Sequence, residues 1–179
     1  DYRLELRKIR FDRHMLRQII QNGVPSGFQN SVIAIANVFV QSNINAFGKM
    51  AMAGCGAYSK VEGFAFLPVT CFTMAITTFV GQNLGAKQYD RAKKGAKFGI
   101  LCSIFIAELI GITIYTAAPV LIAAFNRDPD VIHYGVMQAR TIALFYCLLA
   151  FTHCIAAVLR GSGNAAVPMI VLLCVWCLF

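Results

Sequence analysis

Residues 63–126 hold two long apolar runs joined by one short basic loop, and few folds accept that arrangement. From Gly63 to Ala86 there is no charged residue; Lys87, Asp90, Arg91, Lys93, Lys94 and Lys97 then arrive together; from Phe98 to Asn126 the only charge is Glu108. Apolar runs of about 20 residues or more match the hydrocarbon core of a bilayer. A short basic loop between two such runs is expected on the cytoplasmic side. A third stretch, Gln18–Gly48, carries no charge at all. Charged residues make up 13% of the chain, against ~25% in soluble domains. The fold class that follows is an all-α integral membrane protein, a polytopic helical bundle.

The loop fixes the side of every other segment end. Spans are expected at about 25–47, 51–82, 92–125 and 131–159, with a fifth at 165–179 cut short by the end of the sequence. Residues 1–17 read as a cytoplasmic linker or surface helix, and residues 18–179 as the transmembrane part. Gly23-Val24-Pro25-Ser26-Gly27 is expected to break or start the first helix, with Pro25 in its first turn. Pro68 should kink the second. The turn after span three, Asn126-Arg127-Asp128-Pro129-Asp130, is net acidic, as an external turn should be. The chain opens at Asp1 and closes on Phe179 inside an apolar run, so both ends read as cut from something longer.

Polar residues inside the spans are not scattered. Ser26, Asn30, Asn37, Gln41 and Asn45 recur at spacings of four and seven and share one face of the first helix. Amides facing hydrocarbon lack partners, so this face meets other helices or water; it is a cavity wall or interhelical hydrogen-bond glue. On the second span Tyr58, Glu62, Thr73 and Thr77 share a face, with Thr70 at its edge. A carboxylate at that depth costs at least ~2.5 kcal/mol, which makes Glu62 a functional candidate; the alternative is a hydrogen-bonded side chain that holds the bundle. Glu108 is a weaker candidate of the same kind. On the fourth span Tyr134, Gln138, Thr141 and Thr152 share a face, and Gln138 and Thr141 join Glu108 as secondary candidates.

Several classes fall away. A net charge of +8 would suggest nucleic acid in a soluble protein, but here the basic residues lie outside the apolar runs, where membrane topology places them. The seven cysteines lie in or beside apolar runs, and Cys174-x-x-Cys177 lacks a second ligand pair, so neither a disulfide framework nor a metal site is expected. No nucleophile–base pair or phosphate loop points to an enzyme, and Gly81-Gln82-Asn83-Leu84-Gly85-Ala86 lacks the glycine spacing of nucleotide-binding loops. No cofactor is expected.

That same Gly81–Ala86 segment, followed by Asp90-Arg91-Ala92, resembles the multidrug and toxic compound extrusion (MATE) family of antiporters. Gly23–Gly27, Asn45-Ala46-Phe47-Gly48 with Ala51 and Ala53-Gly54, and Leu159-Arg160-Gly161-Ser162-Gly163-Asn164 resemble successive landmarks of the family's C-terminal half, in order along nearly the whole chain. The resemblance implies about five helices of a twelve-helix, two-bundle transporter, with the N-terminal half of the same protein and a final helix as missing partners. It implies a multi-pass protein of the plasma membrane that expels organic cations or other amphiphilic solutes in exchange for Na⁺ or H⁺. Glu62 would be the ion-coupling residue, with Asn30, Asn37, Gln41, Tyr58, Thr70, Thr73 and Thr77 lining the substrate cavity. Where other members place a carboxylate on the first helix, this sequence has Gln29 and Asn30. A lipid-linked saccharide flippase of the same superfamily and a non-transporting membrane scaffold are the alternative readings. The few intramembrane basic residues, Lys60 and Arg140, weigh against a pyrophosphate-binding flippase.

Overall fold

The computed structural model describes residues 12–178, so the part of the expected surface segment before Asp12 lies outside it. Helices follow one another with short turns: α1 (Arg13–Ala46), α2 (Lys49–Ala65), α3 (Leu67–Gly85), α4 (Tyr89–Ala123), α5 (Pro129–Ala143), α6 (Tyr146–Gly161) and α7 (Ala166–Leu178). Among the described residues there is no strand. Two stretches are long and apolar enough to cross a membrane, Lys49–Gly85 and α4, and α5 with α6 makes a third if the bent pair is one span. The protein is thus a helical membrane bundle.

The first expected boundary moves. Asp12 caps α1, its carboxylate accepting from the backbone N–H groups of His14 at 2.8 Å and Met15 at 3.2 Å. Residues 13–17 therefore belong to the helix that carries the first apolar run, not to a separate linker. The helix also passes through Gly23–Gly27 without stopping, with Pro25 in its interior. Proline removes one backbone rung, the one to the Gln21 carbonyl; beside it Ser26 Oγ donates to the Asn22 carbonyl at 2.8 Å, and Asn22 Nδ2 to the Gln18 carbonyl at 3.0 Å.

The second span is interrupted for one residue close to its proline. α2 ends at Ala65, Phe66 intervenes, and α3 restarts with Pro68 in its first turn. The fourth span holds a break the sequence does not announce. α5 and α6 meet at 56° across Leu144-Phe145, a stretch without proline or glycine.

α4 is the central rod, packed along α3, α5 and α6, while α2 lies along α5 and α1 is held mainly through α7 and α2. The buried face of α4 is mostly small, Ala92, Ala96, Ser103, Ala107, Gly111 and Ala118, with Ile114 and Ile122 toward its far end. Between membrane helices there is no water to expel, so close backbone approach across small residues supplies the packing energy. The approach is tightest where glycine meets backbone. A Cβ on Gly54 would lie 2.6 Å from the Val131 carbonyl oxygen, and one on Gly161 would lie 2.6 Å from that of Thr77. A Cβ on Gly81 would in turn sit 3.3 Å from the Gly161 carbonyl oxygen. The two most distinctive short motifs, around residues 81–86 and 159–164, therefore meet at one end of the bundle. The acidic turn at the other end is built by its own side chains: Asn126 accepts from the Asp128 N–H, and Asp128 from the Asp130 N–H, both at 2.9 Å.

Candidate functional site

Glu62 lies half-buried in the last turn of α2, just before the helix breaks. One turn earlier on the same face, Tyr58 is wholly enclosed. Its hydroxyl sits 3.1 Å from that of Tyr146. Tyr146 is the first residue of α6, so the break between α5 and α6 is what turns it toward α2. Gly111 of α4 makes the room: a Cβ there would lie 2.8 Å from the Ala143 carbonyl oxygen and 3.1 Å from the Tyr146 ring. Past the α2 break, Phe66 meets the His153 ring edge-on at 5.0 Å, and His153 Nδ1 lies 2.9 Å from the Leu149 carbonyl oxygen. Two interrupted helices thus converge on one carboxyl and two phenols. Interrupted backbone inside a bundle is tolerated where it is buried in protein or lines a wet cavity.

The hydroxyl pair can be probed by itself. Tyr146→Phe leaves the enclosed Tyr58 hydroxyl without its partner, and an unsatisfied buried polar group costs about 1–3 kcal/mol. The double variant Tyr58→Phe/Tyr146→Phe removes both groups and is expected to lose less than the sum of the singles. Unfolding midpoints in detergent check this; additive losses would mean that the two hydroxyls do not interact.

The other sequence candidates fall in different surroundings. Thr73 is buried with its hydroxyl on the Thr70 carbonyl at 2.8 Å. Thr77 donates to its own Thr73 carbonyl at 2.7 Å and reaches the Ala157 carbonyl of α6 at 3.2 Å. Thr77 thus ties α3 to α6, and Thr73 is buried one turn before it. Thr70 is also spent on its own helix, 2.7 Å from the Leu67 carbonyl. Threonine can satisfy itself on the preceding turn, so a line of threonines in a sequence overstates how wet a helix face is. Tyr58, expected to line a cavity, is in the core. On α1 the amides do look outward. Asn30, Asn37 and Gln41 are exposed, with Gln41 Nε2 donating to Asn45 Oδ1 at 3.1 Å, while neighbouring Gln29 is the one buried polar residue of that helix.

Among the secondary candidates, Glu108 Oε2 and Gln138 Oε1 are buried with no hydrogen-bond partner, as is Ser103 Oγ. Thr141 is exposed and lines, with Arg140 and His133, a hollow of about 590 Å³ near the acidic turn. A second hollow, of about 530 Å³, opens at the opposite end between α4 and α6. Neither contains Glu62. The basic residues within the spans engage rings: Lys60 lies 5.6 Å from the centre of the Phe125 ring, and Arg140 5.5 Å from that of Tyr115.

Sequence reasoning missed Tyr146. Its place off the Tyr134–Gln138–Thr141 face gives no periodic signal, and only the unannounced bend brings it to Tyr58.

Comparison with known proteins agrees with this architecture. A family model described as MatE matches residues 25–179. The chain is 23% identical over 165 residues to the probable multidrug resistance protein YoeA of Bacillus subtilis, covering 92% of this chain and 36% of that protein. It is 28% identical over 155 residues to the probable multidrug resistance protein NorM of Thermotoga maritima, covering 87% and 33%. It is 23% identical over 150 residues to the FAD transporter of Shewanella oneidensis, covering 84% and 33%. The chain spans about a third of the length of these curated relatives.

Proposed function

The chain belongs to the MatE family, and from that premise we propose that it forms part of a secondary active antiporter, one that expels organic cations or other amphiphiles in exchange for Na⁺ or H⁺ by alternating access. The observation that carries the reading is the half-buried Glu62 carboxyl in the last turn of α2, one helical turn from the enclosed Tyr58–Tyr146 hydroxyl pair. An unpaired carboxylate at that depth costs ~2.5 kcal/mol or more. A proton or a bound Na⁺ discharges it, and the phenols supply hydrogen bonds or oxygen ligands to whichever form is present. Because the site lies at two helix breaks, its occupancy biases how the half-helices on either side are aligned. That is the element a coupling ion needs: one group whose charge state favours one of two arrangements. Glu108, with its unpartnered oxygen, is the second group of this kind.

The solute would pass along the outward amide face of α1, at Asn30, Asn37 and Gln41, with an N-terminal half of the same transporter forming the opposite wall. The protein would sit in the plasma membrane with its basic loop and N-terminal end in the cytoplasm. Its activity is transport, with no bond made or broken and no cofactor beyond the coupling ion. The drug-resistance names of the relatives support an organic-cation substrate; the FAD transporter among them extends the range to other amphiphilic solutes.

Dye flux tests this. The protein carrying this chain, reconstituted into vesicles, is expected to move a fluorescent organic cation faster under either a Na⁺ or a pH gradient than under none. Equal flux in all three conditions would remove coupled antiport.

A further inference from the structure

The hollow between α4 and α6 is a groove rather than a chamber, its lining almost wholly apolar, with exposed basic residues standing at one end. Tyr89, Lys93 and Lys97, each four residues from the last, line the end nearest the basic loop. Beyond them the walls are Ile100, Leu101 and Ile104 on α4 and Phe151 and Ile155 on α6, with Val80 and Ala96 among the buried residues beneath. From Tyr89 to Ile104 the helix rises about 22 Å at 1.5 Å per residue. That equals one leaflet with its headgroups, half of a bilayer ~40–45 Å thick. The charge is as one-sided as the shape. Lys87, Arg91, Lys93, Lys94 and Lys97 surround Asp90 alone.

We propose that this groove holds one anionic glycerophospholipid of the leaflet on the basic-loop side, its phosphate between Lys93 and Lys97 and one acyl chain along the wall from Ile100 to Phe151. Shape and charge agree on this occupant. A free anion would leave the apolar length uncovered, and a zwitterionic lipid would leave the lysines without net compensation. The aromatic Tyr89 stands at the headgroup level, where tyrosines collect in membrane proteins. The site is separate from Glu62 and independent of what the protein transports.

Native mass spectrometry of the protein released from phosphatidylcholine–phosphatidylglycerol vesicles tests the assignment. One phosphatidylglycerol per chain is expected to survive release, and phosphatidylcholine is not. Lys93→Gln/Lys97→Gln should weaken retention about thirty-fold, at roughly 1 kcal/mol for each lysine at a membrane surface. Ile155→Trp keeps both lysines, fills the groove and should also lose the lipid. Lys94→Gln, on the same helix but away from the groove, should retain it; size-exclusion profiles confirm that each variant is folded. Equal retention of the two lipids, or retention by Ile155→Trp at the wild-type level, overturns the proposal. So does a photocrosslinker at Leu101 that captures another protein chain instead of lipid.

Discussion

Glu62→Gln is expected to abolish ion-driven efflux while leaving the protein in the membrane at its normal abundance. Glutamine has nearly the same shape, so the packing of α2 against its neighbours survives. What it lacks is the ability to change charge. A group that cannot exchange a proton or neutralise a cation has no differential affinity for the ion in the two transport states, and an ion without differential affinity shifts nothing. Couplings between two ligands are commonly about 5–150-fold, and the gradient-driven part of the flux should fall by a factor in that range, down to the level seen with no gradient. Folding stability should hold or rise, because an expensive intramembrane charge has been removed. The measurement is dye efflux under a gradient alongside the amount of folded protein. Efflux at the wild-type rate takes Glu62 out of the mechanism and moves attention to Glu108, the other intramembrane carboxyl with an oxygen left open.

How much of this site could be read from the sequence depends on which residue is asked about. Glu62 announces itself as a charge beside a long apolar run, and Tyr58 follows from it by one helical turn. Tyr146 does not, because its role depends on a 56° bend between α5 and α6 that no proline or glycine marks. Local composition predicts a break only when the breaker is in the chain; here the bend accompanies the packing of Tyr146 against Tyr58 and Gly111. The faces were legible as periodicities and ambiguous as environments. Thr73 and Thr77 share a stripe with Glu62, yet their hydroxyls are satisfied on the preceding turn, and Thr73 is buried, whereas the longer amides of α1 stay outside. One residue step, 100° around a helix, separates exposed Asn30 from buried Gln29, and which one turns inward is decided by neighbours on α2 and α7 that the sequence of α1 does not contain. The interruption near Pro68 and the acidic turn at residues 126–130 fared better, since proline and turn residues are local signals.

Gly54→Ala should cost more than its single methyl suggests, and Gly54→Leu should prevent folding. Alanine normally stabilises a helix relative to glycine by roughly 0.5–1 kcal/mol, and Gly54 has ordinary helical backbone, so intrinsic propensity favours the change. The surroundings reverse it. The added carbon would stand 2.6 Å from the Val131 carbonyl oxygen, 2.9 Å from the Gly135 nitrogen and 3.0 Å from the Tyr134 Cβ. Two of those atoms are backbone, which no rotamer change can move aside, so α2 and α5 must separate. Overpacking of a close-packed interior costs about 1–3 kcal/mol and more when the backbone has to shift. Separation would also draw apart Tyr58 and Tyr146, because α5 leads directly into the turn that presents Tyr146. The control is two residues away: nothing lies within 4 Å of a Cβ on Gly56, so Gly56→Ala should be neutral or slightly stabilising. Fluorescence-detected thermal unfolding in detergent compares the pair. If Gly54→Ala melted with Gly56→Ala, the close α2–α5 contact would have to be abandoned, since no flexible side chain is present there to absorb the clash.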